Sequence, residues 1–123
     1  MFTQQELFDR ALFGVRKQKY RISARGCCCK YRGLNSDKCN IGHCIDDDAL
    51  AQDMDNTGSI ATIMRDSLCP KLKARVQEAI GDHPLQFLSD LQRVHDEAQD
   101  ADIYERGMVT FAKTYNLKYT PLE

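Results

Sequence analysis

The chain has 123 residues, 42% of them hydrophobic and 28% charged, with a net charge of −1. A chain of this size is expected to form one domain, residues 1–123, that needs no metal or disulfide framework to fold. The composition is not that of a disordered chain, and no apolar run approaches membrane-spanning length, so no membrane partner is expected.

Thr3-Gln-Gln-Glu6 spells a capping box, flanked by Phe2 and Leu7 as a hydrophobic staple. Leu7, Phe8, Ala11, Leu12 and Val15 then fall on one face, which predicts a helix over 4–19. Gly14 weakens its interior by about 1 kcal/mol relative to alanine. Arg16, Lys17 and Lys19 suit the negative end of the helix dipole. A capped amphipathic start predicts no signal peptide and a cytoplasmic setting. There the six cysteines are ligands, nucleophiles or small core residues rather than a disulfide framework.

The stretch from Arg25 to Asp48 holds five of those six cysteines and one of the three histidines. Its turn formers, Gly33 to Asp37, predict a two-stranded β-hairpin with strands near 29–32 and 38–41, whose Tyr31 and Ile41, together with Ile45, should reach the core. The acidic run from Asp46 has room for one or two helical turns. Asp53 to Ile60 imitates the start of a calcium loop, but Met64 stands where a bidentate carboxylate is required, so a turn is predicted instead. Ser59 or Gly58 opens a helix through Ile60, Ile63, Met64 and Leu68. Pro70 starts another, buried through Leu72, Val76, Ala79 and Ile80 and stopped by Gly81. Asp82 or His83 caps the next, with Leu85, Leu88, Leu91, His95 and Ala98 in one stripe and Phe87 and Val94 beside it. Asp102 to Glu105 reads as the cap of a last helix carrying Tyr104, Met108, Phe111, Ala112 and Tyr115, ended by Asn116 before an extended tail. The expected fold is mostly α in the α+β class: a small helical domain of four to five helices with one hairpin near residues 29–41.

Three constellations have chemical potential. Cys39 and His43, four apart, with Cys29 and one of Cys27, Cys28 or Cys44, offer the sulfur and nitrogen donors of a tetrahedral zinc site; the plain alternative is a set of semi-buried apolar cysteines. A cysteine paired with His95, next to Asp96, would make an activated thiol, although a histidine on an apolar face is commonly a core residue. Arg16, Lys17, Lys19, Arg21, Arg25, Lys30, Arg32 and Lys38, interleaved with Tyr20 and Tyr31, suit single-stranded nucleic acid or an acidic partner, or form a solvated face. Charge is divided along the chain: residues 1–40 carry nine Lys or Arg against three acids, +6, and residues 41–123 eight against fifteen, −7.

Cys29, Tyr31, Arg32, Gly33, Lys38, Cys39, Ile41, Gly42, Ile45 and Asp46 together resemble a motif of small phage and prophage proteins: Cys-x-Tyr-Arg-Gly, a short turn, then Lys-Cys-x-Ile-Gly. The likeness resumes at Leu91 to Asp96 and in the last helix, at Phe111, Ala112 and Leu117. This resemblance implies a phage origin and no established reaction. The expected function is a phage-encoded interaction protein in the host cytoplasm. It would bind a host protein or protein complex through Arg21, Arg25, Tyr31, Arg32 and Lys38 and modulate or inhibit it, with no catalytic residues. The alternatives are a zinc-binding or thiol-dependent enzyme, with Cys29, Cys39, His43 and Cys44 as ligands, and a nucleic-acid-binding accessory protein.

Overall fold

Six α-helices carry the described residues: α1 (Gln4–Lys17), α2 (Asp48–Thr57), α3 (Ile60–Arg65), α4 (Pro70–Ile80), α5 (Leu85–Glu97) and α6 (Ala101–Thr114). The computed structural model describes residues 1–21, 24–25, 28–33, 37–65 and 69–122, and backbone alone at 24, 25, 28 and 29. α5 lies between α3 and α6, α2 packs on α3 and α4, and α1 packs on a 3-10 turn, Gly42–Cys44. None of the described helices is long and apolar enough to cross a membrane.

The predicted hairpin does not form, and the α+β expectation is corrected to a helical fold. Its two strand segments are held by side chains from the helices instead of by each other. The amides of Tyr31 and Arg32 donate to the Asp55 carboxylate of α2, at 2.8 and 3.3 Å. Gln18, just past α1, bonds both backbone groups of Lys38. Gln92 of α5 accepts from the Ile41 amide at 3.0 Å. Those four amides are thereby committed to side chains and are withdrawn from any ladder between 29–32 and 38–41. The described strand pairing lies upstream and is two residues long: β1 (Ala24–Arg25) and β2 (Cys28–Cys29) run antiparallel, Ala24 opposite Cys29. Tyr31, Ile41 and Ile45 nevertheless reach the core, each at most 5% exposed.

The helix ends show which local signals decide. Thr3 and Glu6 form the expected capping box. Lys19 and Tyr20 then adopt positive φ, ending α1 two residues before the predicted limit. The acidic segment becomes a ten-residue helix because the Asp47 carboxylate caps the amides of Ala49 and Leu50. Ser59 caps α3 through the Thr62 amide; the expected Leu68 of that helix lies outside the described residues. α5 starts after Pro84 with no side-chain cap, and α6 is capped by Asp100 rather than Asp102, its carboxylate accepting from the Ile103 amide at 2.8 Å.

Two features join the layers. Phe8 of α1, Phe87 of α5 and Phe111 of α6 pack ring on ring, with Tyr115 closing the cluster. Beneath them Asn40 is fully buried, and its Nδ2 donates to the Leu91 carbonyl of α5 at 2.7 Å. Its Oδ1 accepts from the Tyr104 hydroxyl of α6 at 2.7 Å, and that hydroxyl also lies 3.3 Å from the Ala11 carbonyl of α1. One amide thus ties the loop to α5 and α6.

Gly14 has its reason in this packing. A Cβ there would stand 2.4 Å from Nδ1 of His43, so the glycine lets the imidazole of the 3-10 turn lie directly on α1. Gly14→Ala should therefore destabilise the protein by roughly 1–2 kcal/mol, overpacking outweighing the gain in helix propensity. In a His43→Ala background the same change should stabilise by up to ~1 kcal/mol. Urea denaturation of the four proteins reads the sign reversal.

Candidate functional site

The segment from Tyr31 to Asp48 gathers most of the predicted site residues, and the structure gives nearly all of them a structural partner. Arg32 is the clearest case. Its guanidinium donates to the carbonyls of Tyr31, Gly42 and Ile45, at 3.2, 2.9 and 2.5 Å, and pairs with Asp48 at 2.9 Å. Five N–H donors on a rigid fork are the chemistry needed to close a turn around three carbonyls. Tyr31 is buried and its hydroxyl donates to the Gly58 carbonyl at 2.9 Å. Burial, with Cys39, Asp55 and Asp96 adding, pushes its pKa far above the ordinary range. Arg21 remains exposed, forked onto the buried Asp37 carboxylate at 3.0 Å to each oxygen. Lys38 is half-buried and fixed through its backbone, while the Arg25 side chain lies outside the described residues.

The zinc candidates divide in the same way. Cys39 and Cys44 are buried free thiols. The Gly42 amide donates to Cys39 Sγ at 3.3 Å, whereas Cys44 Sγ lies 3.4 Å from the Leu7 carbonyl as a donor. Burial pushes both thiols up to about 12, so both are protonated at neutral pH. His43 turns its Nε2 to Gln18 Oε1 at 2.9 Å. Gln18 Nε2 donates to the carbonyls of Arg21 and Lys38, so Oε1 is the acceptor and the His43 proton sits on Nε2. Among the described residues no three His, Cys, Asp or Glu side chains are placed to hold a metal ion; the Cys29 side chain and all of Cys27 lie outside them.

His95 occupies the apolar stripe of α5 at 2% exposure, and among the described residues neither ring nitrogen has a hydrogen-bond partner; Asp96 Oδ1, 3.5 Å from Nδ1, is outside bonding geometry. Among the described residues no thiol engages it; the side chains of Cys27, Cys28 and Cys29, which the cysteine–histidine pair could have used, lie outside them.

Three arginines of the basic strip, Arg16, Arg21 and Arg32, are also committed within the chain. Arg16 forks onto Glu105 of α6 at 2.9 and 2.7 Å and donates to the Thr120 carbonyl. Tyr20 and Tyr119 donate to the same carboxylate at 2.8 and 2.5 Å, tying α1, α6 and the tail together. Burial alone would raise the Glu105 pKa, but Arg16, Tyr119 and Tyr20 together hold it below the ordinary value.

An accessible concave surface lies elsewhere, in a groove of about 570 Å³ between α5 and α6. Its floor is Val94, Phe111 and Tyr115, and Ile103, 37% exposed, opens one end. The two helices approach closely at Gly107, where a Cβ would stand 2.8 Å from Val94 Cγ1. At the other end the Tyr115 hydroxyl is anchored on Asp90 at 2.5 Å. A glycine inside an otherwise regular helical period was the one sequence signal for this close approach.

Comparison with protein-family models, with curated proteins and with solved structures finds no match for this chain.

His43 gives the site a pH signature. Burial, reinforced by Lys38, His95, Arg32 and Arg10, lowers its pKa from 6.5 to about 4. The unfolded chain therefore takes up this proton first, and the stability it costs is lost as pH falls from about 6.5 towards about 4. Glu105, held below its ordinary 4.5, adds loss only at lower pH. Urea denaturation between pH 7.5 and 5 should show falling stability for the wild-type chain and a flatter profile for His43→Gln.

Proposed function

We propose that this chain is an interaction protein that binds a host protein and modulates or inhibits it, with the groove between α5 and α6 as its docking surface. The groove supports this reading because it is recessed and apolar at its floor, with arginines and carboxylates along its rim. Arg21, Tyr31 and Arg32, expected to meet the partner, are bonded within the chain, so the docking role passes to the groove. The resemblance to small phage proteins supports a host macromolecule as the target and the host cytoplasm as the setting. A thiol- or zinc-dependent reaction has less support, because Cys39 and Cys44 are buried and protonated and His43 is engaged with Gln18.

Thr110 is exposed on the groove wall, where a large side chain fills the recess without entering the core. Tagged wild-type chain incubated with host lysate, followed by mass spectrometry, should recover one host protein or complex at both low and moderate salt. Thr110→Trp, with an unchanged thermal transition, should reduce that recovery at least tenfold. Unchanged recovery with Thr110→Trp would remove the groove from the account, and turnover of a small substrate lost on Cys39 substitution would replace binding with catalysis.

A further inference from the structure

We infer that the occupant of this groove is an amphipathic α-helix with an acidic residue at its centre, contributed by the partner protein; this rests on the docking role proposed above. The walls decide the backbone class. Both are helices whose N–H and C=O groups are spent internally, so neither offers a sheet edge to an extended segment, whereas a helix brings its own backbone already satisfied. The groove is lined at helical spacing on both sides: residues 90, 93, 94 and 97 on α5, and 103, 106, 107, 110, 111 and 114 on α6. From residue 103 to 114 it runs about 16 Å at the α-helical rise, the length of three turns. Such an occupant would seat apolar anchors at i, i+3 or i+4, and i+7.

The rim decides its charge. Val94 meets Gly107, so their sequence neighbours Arg93 and Arg106 stand at the middle of the groove, on opposite walls. Both are exposed, with side-chain accessibilities of 58% and 73%, and their pairs with Asp90, Glu97 and Asp102 are surface contacts that a partner can replace at little cost. Carboxylates hold the ends, Asp90 at one and Glu97 at the other. The matching helix is acidic at its centre and basic at its ends. A second copy of this chain fits poorly. Antiparallel α5 on α5, centred on the groove, sets Asp90 against Glu97 and brings the two Arg93 side chains together.

The test uses the full chain and two fluorescein-labelled fourteen-residue helical peptides. Both have leucine at positions 3, 7 and 10; one carries glutamate beside the central leucine and lysine at its ends, and the other has these charges exchanged. Fluorescence anisotropy should show the acid-centred peptide binding at least tenfold more tightly. Arg93→Glu with Arg106→Glu should reverse the order, and Thr110→Trp should abolish both. Equal binding of the two peptides, or binding insensitive to Thr110→Trp, overturns the inference. If neither peptide binds while host recovery still depends on Thr110, the helical occupant is wrong and the docking groove stands. If sedimentation shows a dimer that Thr110→Trp dissociates, the occupant is a second copy and the inference fails.

Discussion

The fold depends on the satisfaction of buried backbone groups between Tyr31 and Ile45. The described residues of this loop, 31–33 and 37–45, are largely buried, where an unpaired N–H or C=O costs about 1–3 kcal/mol, and among them backbone pairing is confined to the Gly33–Asp37 bond and the bonds around the turn Gly42–Cys44. Side chains supply the partners. Asp55, Gln18 and Gln92 reach in from the helices to the amides of Tyr31, Arg32, Lys38 and Ile41, while Arg32 closes the carbonyls of its own loop. Asn40 makes the reciprocal connection, sending one amide to α5 and α6. Because each partner comes from a different element, the loop's conformation and the relative placement of α1, α2, α5 and α6 are specified together.

That constraint explains why Cys39, Cys44 and His43 are not available for reaction. Cys39, Cys44 and His43 sit inside the loop's bonding scheme, and burial holds the thiols protonated and the imidazole neutral. The same scheme accounts for Gly14, the position where α1 must lack a Cβ so that the ring fits. The groove between α5 and α6, concave and apolar at its floor, lies outside that scheme.

Legibility in the sequence followed the range of the interactions. Local signals read true: the Thr3 and Glu6 capping box, the apolar stripe of α1 and the three- and four-residue repeat from Tyr104 to Phe111 all appear as helix. The hairpin was misread because its turn formers and flanking residues carry the local signature of a strand pair, while the groups that prevent pairing, Gln18, Asp55 and Gln92, are 20 to 51 residues away from their partners. The Glu105 junction was hidden for the same reason, since Arg16 lies 89 residues from it and the helical period marks neither as a pair. The cap of α6 was placed at Asp102, two residues before the apolar repeat begins at Tyr104, whereas the extended backbone and the amide-accepting carboxylate belong to Asp100. The groove was invisible because α5 and α6 were each read for the face they bury, and a groove is made by what two helices leave uncovered.

The central claim, that helix side chains hold the Tyr31–Ile45 loop as firmly as a ladder would, is open to one direct measurement. Native-state amide hydrogen exchange, followed by NMR, reports the opening free energy of each group. The amides of Tyr31, Lys38 and Ile41 should exchange as slowly as those in the middle of α5, and Asn40→Ala should release them together. Exchange of these three amides at the rates of exposed loop residues, with α5 still protected, would contradict the account.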